Sequence, residues 1–205
     1  MDKKISTAMN SPSYTRFSNH AKSKWSIIIA FVWGFAEATA FFIVPDVYLG
    51  FVALFNWRRG LSAMVASLLG AILGGAVMYL LAMNNPSRVN TFLTHVPLID
   101  SALVIDVANQ TQTQGLLAVL TGPLKGTPYK IYAAQAGEQS LPFIYFLLIT
   151  ILARGERFLP VVLSFGVVGT WFKEFFEKHT QLIVGSYVLL WCIIYFVFIS
   201  YFGFH

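Results

Sequence analysis

The chain contains two long runs without a charged residue, and each is long enough to form a membrane-spanning helix. The first runs from Gly60 to Ser87 and the second from His179 to His205. A spanning helix needs about 20 consecutive, mostly apolar residues. The pattern therefore predicts transmembrane helices over 60–82 and 181–203.

Small residues recur along the first of these runs at the spacing of a helix face. They form two adjacent rows, Ser62, Ala66, Gly70, Gly74 and Ala63, Ser67, Ala71, Gly75. Small residues four positions apart let a second backbone approach closely. We expect tight helix packing along this run, and the same faces would also allow an oligomer.

A third apolar segment, 25–57, is interrupted by a helix-breaking residue. Pro45 lacks an N–H and disfavours helix at Val44. Basic residues precede the segment, and the pair Arg58-Arg59 follows it directly. Because basic residues favour the cytoplasmic side, we expect the chain to enter the membrane and return. This pattern predicts a re-entrant hairpin with its break at residues 44–46.

A fourth segment, 115–137, has the same organisation. Pro123 and Pro128, with two nearby glycines, separate an apolar approach from an apolar return. We expect a second re-entrant hairpin that enters from the outer side. A helix over 139–170 would then cross inward.

The stretch between the first span and the second hairpin, 83–114, is polar and not basic. This composition favours the outer side. Within it, Val96, Ile99, Leu103 and Val107 recur at spacings of three and four. The spacing predicts a short amphipathic helix at the membrane surface.

Together these elements predict an all-α integral membrane protein with two inverted hairpin-plus-span units and a C-terminal transmembrane helix. We divide the chain into a polar basic tail (1–24), a membrane domain (25–178) and the C-terminal helix (179–205). In transporters, paired interrupted segments in the two halves point to the substrate site.

Composition supports a membrane protein and excludes several other classes. Of 205 residues, 57% are hydrophobic and 11% are charged, whereas soluble domains carry about 25% charged residues. The single cysteine excludes a disulfide scaffold and a cysteine-based metal site. No nucleophile–base or metal-ligand motif occurs, so we expect no enzyme activity and no cofactor.

The net charge of +5 matters mainly through its placement. Five basic residues precede the first apolar run, namely Lys3, Lys4, Arg16, Lys22 and Lys24. They place the N-terminus in the cytoplasm. Because these charges are few and lack interleaved aromatic residues, we expect no nucleic-acid partner.

Ionisable residues also fall inside the interrupted apolar segments. They are Glu37, Asp46, Lys125, Lys130, Arg154, Glu156 and Arg157. A charge at a helix centre costs about 2.5–3.5 kcal/mol to insert, so these groups must pair, lose their charge or face water. Three acids against four bases leave a positive surplus, which suits an anionic head group on an apolar tail.

We therefore predict that the four bases (Lys125, Lys130, Arg154 and Arg157) bind the substrate. The three acids (Glu37, Asp46 and Glu156) would balance their charge or exchange a proton. The alternative is a purely structural role: ion pairs among Arg154, Glu156 and Arg157, and likewise a structural role for Glu37 and Asp46 and for Lys125 and Lys130.

The interrupted segments resemble the DedA superfamily, also called the VTT or SNARE-associated domain. The resemblance is carried by FAEATAFFIVPDVYLGFVAL (35–54), TGPLKGTPYKIYAAQAG (121–137) and LARGERFLPVVLSFGVVG (152–169). The matching positions are Glu37, Pro45, Asp46, Pro128, Tyr129, Lys130, Ala136, Gly137, Arg154, Arg157 and Phe158.

This resemblance implies inverted re-entrant hairpins, translocation or scrambling of an anionic lipid (a phospholipid or polyprenyl phosphate), and the bacterial inner membrane. Two other functions stay open: a small proton-coupled ion or solute transporter, and a non-transporting membrane-organising protein.

Overall fold

A computed structural model describes residues 11–202, which contain eleven α-helices, a short 3-10 helix (Pro123–Lys125) and no β-strand. The α-helices are α1 (Pro12–Lys22), α2 (Lys24–Thr39), α3 (Asp46–Phe55), α4 (Trp57–Asn84), α5 (Pro86–Leu93), α6 (Ser101–Gln114), α7 (Leu116–Thr121), α8 (Tyr129–Glu138), α9 (Phe143–Trp171), α10 (Lys173–Lys178) and α11 (Thr180–Phe202). The all-α prediction is confirmed for these residues. Parts of the predicted tail (1–10) and C-terminal helix (203–205) lie outside the described residues.

Two helices are long and apolar enough to span a membrane, namely α4 and Thr180–Ser200 within α11. Both were predicted from the uncharged runs. At 1.5 Å per residue, α4 is about 42 Å long. Helix α9 has 29 residues and is as long as α4, but Arg154, Glu156 and Arg157 interrupt its apolar sequence.

The first predicted break is present. Of the two helices that flank it, the first begins close to where the second ends. Helix α2 ends at Thr39 and α3 begins after Pro45. Arg59 Nη2 donates hydrogen bonds to the carbonyls of Lys22, at 2.9 Å, and Ser23, at 3.1 Å. The start of α2 therefore lies beside the start of α4, so α2 and α3 form a hairpin.

The second predicted break is also present. Helix α7 ends at Thr121, the 3-10 helix follows, and α8 begins after Pro128. Gly115, before α7, and Glu138, at the end of α8, border the same polar pocket. These arms therefore also form a hairpin.

The helices of each hairpin pack against both long helices, α4 and α9. Helices α4 and α9 pack against each other, α3 packs on both, and α8 of the second hairpin packs on α4. Helix α2 packs along α4, and α7 packs along α9. Each long helix therefore contacts an arm from both hairpins.

The small residues of α4 allow these close contacts. A Cβ on Gly70 would collide with the backbone carbonyl of Phe31 in α2, and one on Gly75 would collide with the ring of Tyr129 in α8. Except for Ser62, both small-residue rows are buried. Because helices of the same chain cover them, these rows are not free to form the oligomer contact that the sequence suggested.

The polar stretch before the second hairpin differs from its prediction. It forms two helices, α5 and α6, and Val96 and Ile99 lie in the connection between them. The Asp100 carboxylate accepts the Leu103 N–H at 2.7 Å and so caps a new helix. Val96, Ile99 and Val107 are nevertheless buried, as the apolar spacing suggested.

The described part of the N-terminal tail is helical. Helix α1 packs against α3, and its Ser18 and Ala21 are buried. This contact places α1 at the end of the bundle where α2 begins and α3 ends.

We predict that Gly70→Ala destabilises the protein by about 1–3 kcal/mol, because its methyl group meets a backbone carbonyl that has no room to move. The matched control is Gly185→Ala in α11, where an added Cβ meets nothing within 4 Å. Higher helix propensity should make this variant equally or slightly more stable. Thermal unfolding in detergent checks both, and a Gly70→Ala protein as stable as the control would contradict the packing.

Candidate functional site

The two helix breaks line one cavity of about 300 Å³. Phe42 and Val44 come from the first break, and Pro123, Leu124, Gly126, Thr127 and Pro128 come from the second. Three charged side chains reach its wall, namely Glu37, Lys130 and Arg157. Residues 97–99 and one face of α11 complete the enclosure.

The open backbone of the first break is bonded by side chains from α2, α8 and α11. Trp33 Nε1 donates to the Ile43 carbonyl at 2.9 Å, Lys130 Nζ donates to the Phe41 carbonyl at 3.3 Å, and the Tyr195 hydroxyl accepts the Val44 N–H at 2.8 Å. Non-helical backbone inside an apolar bundle needs such partners, because no bulk water can replace them.

A buried ion pair and a partly buried one connect the first hairpin to α9. Arg154 Nη2 pairs with Glu37 of α2, and Arg157 Nε pairs with Asp46 of α3 at 2.8 Å. Both carboxylates are almost fully buried. Since removing one partner of such a pair leaves an uncompensated buried charge, these contacts hold α9 against the first break.

Arg154 is fully buried and does not line the cavity. Its guanidinium carbon lies 5.1 Å from the Tyr129 ring centroid and 4.8 Å from that of Phe158. These aromatic contacts and Glu37 account for its position. The structure therefore does not bring Arg154 to the cavity wall with Lys130, whereas Arg157 does reach it.

Glu156 also differs from its prediction, because it is exposed and makes no ion pair within residues 11–202. Residues 154 and 157 are three apart and share a helix face, whereas residues two apart do not face each other. Glu156 therefore points away from the cations that it was expected to balance.

Lys130 is the buried cation that no carboxylate pairs with among the described residues. Its residue is 2% exposed, and its ammonium group carries three donors. Its described hydrogen bond uses one of them, to the Phe41 carbonyl. Because Lys130 lines the cavity, its remaining donors are available to an anion bound there.

The N-terminus of α8 also borders the cavity, because Pro128 and Lys130 both line it. First-turn N–H groups carry partial positive charge. The start of α8 therefore adds to the positive potential around Lys130.

Lys125, another predicted binding residue, is exposed and does not line the cavity. It ends the 3-10 helix, and Gly126 follows in a left-handed conformation with φ 94°. This turn directs residues 126–128 to the cavity wall, while Lys125 lies outside. The structure therefore brings together Glu37, Lys130 and Arg157, but not Lys125.

Sequence reasoning missed the aromatic contacts of α11. Tyr187, Trp191 and Tyr195 lie four residues apart on one face. The Tyr187 hydroxyl donates to the Val47 carbonyl at 2.7 Å, and Tyr195 bonds Val44. Their regular spacing of four residues was the available signal.

Comparison with known proteins identifies a distant relative. The chain is 23% identical over 185 residues to a protein of Haemophilus influenzae named 'Uncharacterized protein', and the match covers 90% of this chain and 95% of that protein. No protein-family model and no solved structure matches the chain.

We predict that Glu37 and Arg154 are strongly coupled in stability. Glu37→Gln and Arg154→Gln should each lower the free energy of unfolding by about 3–5 kcal/mol, because each leaves a buried charge unpaired. The double variant should lose less than the sum of the two losses, with coupling of about 1–3 kcal/mol. Glu156→Gln is the control and should change little. Additive losses in a double-mutant cycle, measured by unfolding in detergent, would rule out the pair.

Proposed function

We propose that this chain is an integral membrane protein that moves a lipid with an anionic head group across the bilayer. The observation that carries the proposal is the cavity where two helix breaks meet beside Lys130. The resemblance to the DedA superfamily leads to the same function.

Exposed apolar surface supports insertion in a membrane. Large side chains along α4, α9 and α11 are exposed, including Leu69, Leu152 and Phe196. Soluble monomers rarely expose a continuous apolar surface of this kind. In a bilayer, the same surfaces contact acyl chains.

The distribution of charges supports two hairpins of opposite orientation. The first hairpin opens where Arg58 and Arg59 lie, and basic residues favour the cytoplasmic side. The second opens beside α5 and α6, at the other end of α4. We infer that each hairpin returns to the side from which it enters.

The chemistry of the cavity favours a phosphate group. Lys130 and Arg157 supply cations, and the N-terminus of α8 supplies partial positive charge. In transporters, half-helix N-termini at such breaks bind anionic groups. No Asp or Glu pairs with Lys130 among the described residues, so an anion would complete its coordination.

The walls of the cavity favour a lipid over a soluble ion. Most of the lining is apolar, including Phe42, Leu124 and Ile194. A volume of about 300 Å³ has room for a head group but not for acyl chains. We infer that the chains stay in the bilayer along α11 while the head group passes through.

Asp46 is the acid best placed to exchange a proton. One of its oxygens bonds Arg157, and the other is buried without a hydrogen-bond partner within residues 11–202. A phosphate that takes over Arg157 would leave this carboxylate without its cation, and uptake of a proton would then neutralise it. Glu37, paired with Arg154, would keep its charge.

We predict that Lys130→Ala abolishes lipid movement, because the anion loses its unpaired cation. Lys130→Arg should keep part of the activity, since the charge remains but its geometry changes. The control is Lys125→Ala, which removes the same charge outside the cavity and should be as active as wild type. The measurement is the leaflet distribution of a labelled anionic lipid in reconstituted vesicles.

Two outcomes of this assay would contradict the proposal. The first is equal lipid movement by Lys130→Ala and Lys125→Ala. The second is transport of a soluble anion without lipid movement, which would identify a solute transporter.

A further inference from the structure

A second cavity, of about 450 Å³, lies at the end of the bundle where α1, the end of α3, the start of α4 and the end of α9 meet. It shares no lining residue with the cavity between the helix breaks. The two cavities are therefore distinct sites in the molecule.

Positive charge dominates the rim of this second cavity. Lys22, Arg58 and Lys173 border it, against a single carboxylate, Glu177. Lys173 Nζ lies 3.8 Å from that carboxylate, which offsets only one of the three cations. The excess positive charge favours an anionic ligand.

The N-terminus of α4 also borders this cavity. Asn56 caps the helix, and its side chain accepts the Arg59 N–H at 3.0 Å. The N–H groups of Trp57 and Arg58 precede the first helical hydrogen bond and so have no acceptor inside the helix. In a helix of 28 residues, this end carries partial positive charge suited to an anion.

The side chain of a nearly buried serine provides an independent indication of a ligand. Ser18 of α1 lines the cavity, the residue is 6% exposed, and its side chain makes no hydrogen bond among residues 11–202. Polar side chains of residues this well buried usually have a hydrogen-bond partner. A ligand with acceptor oxygens in the cavity would bond this group.

We propose that this second cavity binds a phosphate group. The bases at its rim would neutralise the charge, and Ser18 and the first turn of α4 would donate hydrogen bonds to the phosphate oxygens. Basic pockets between membrane helices bind anionic lipid head groups in the same way. An anionic lipid head group and a free phosphate ion share this chemistry, and the test below separates them.

The test measures binding to the full chain purified in a neutral detergent. The probes are dihexanoyl phosphatidylglycerol, inorganic phosphate and the zwitterionic dihexanoyl phosphatidylcholine, titrated calorimetrically. All proteins carry Lys130→Ala, which removes the unpaired cation of the first cavity. A failed lipid-movement assay therefore leaves this test unaffected, and the reverse also holds.

We predict that Arg58→Gln combined with Lys173→Gln weakens binding roughly thirtyfold, since each base near the surface contributes about fivefold. Ser18→Ala should weaken it about threefold, the effect of one neutral hydrogen bond. The control is Arg88→Gln, an exposed charge on α5 far from the cavity, which should leave the affinity unchanged. Melting temperatures of all variants should match that of the Lys130→Ala parent.

Each result identifies a source or overturns the site. If the double variant weakens the binding of phosphatidylglycerol alone, the ligand is a lipid head group. If it weakens the binding of inorganic phosphate alone, the ligand is a soluble ion. If it weakens the binding of both, the cavity is a general phosphate site. Equal affinity in the double variant and Arg88→Gln, equal binding of phosphatidylcholine, or no binding of either anion would overturn the proposal.

Discussion

Charged side chains inside an apolar bundle lose their hydration, and this loss determines how the centre of the molecule is arranged. Glu37 and Asp46 each meet an arginine of α9, and these two pairs connect the first hairpin to the second half of the chain. Lys130 belongs to the second hairpin, and it donates a hydrogen bond to the backbone of the first break. Because each interaction joins two hairpins or a hairpin and a long helix, the breaks cannot separate without exposing a buried charge to apolar surroundings.

The same interactions leave the cavity positive although its acids and bases nearly balance. Each acid is used by an arginine, so Lys130 remains without a carboxylate among the described residues. The start of α8 adds partial positive charge at this point. The arrangement that satisfies the broken backbone thus also supports the proposed anion site.

The helices and the breaks could be predicted from local chemistry, whereas the partners of the charged residues could not. Proline acts on its own turn, so Pro45, Pro123 and Pro128 marked both breaks correctly. Arg154 pairs with Glu37, 117 positions away, and nothing in one sequence selects that distant partner. Helix geometry could have excluded Glu156, because residues two apart point to different sides. The outward position of Lys125 depends on the left-handed turn at Gly126, which residue type alone did not specify.

The orientation of the two hairpins is the central claim, and cysteine labelling from each side of the membrane tests it most directly. In a Cys192→Ser background, single cysteines at Asn19 and Asn56 flank the first hairpin, and those at Gln114 and Ser140 flank the second. With an impermeant maleimide, the account predicts that the first two label only from the cytoplasmic side and the last two only from the outside. Labelling of the two flanks of either hairpin from opposite sides would show that it is a kinked span, and would contradict the account.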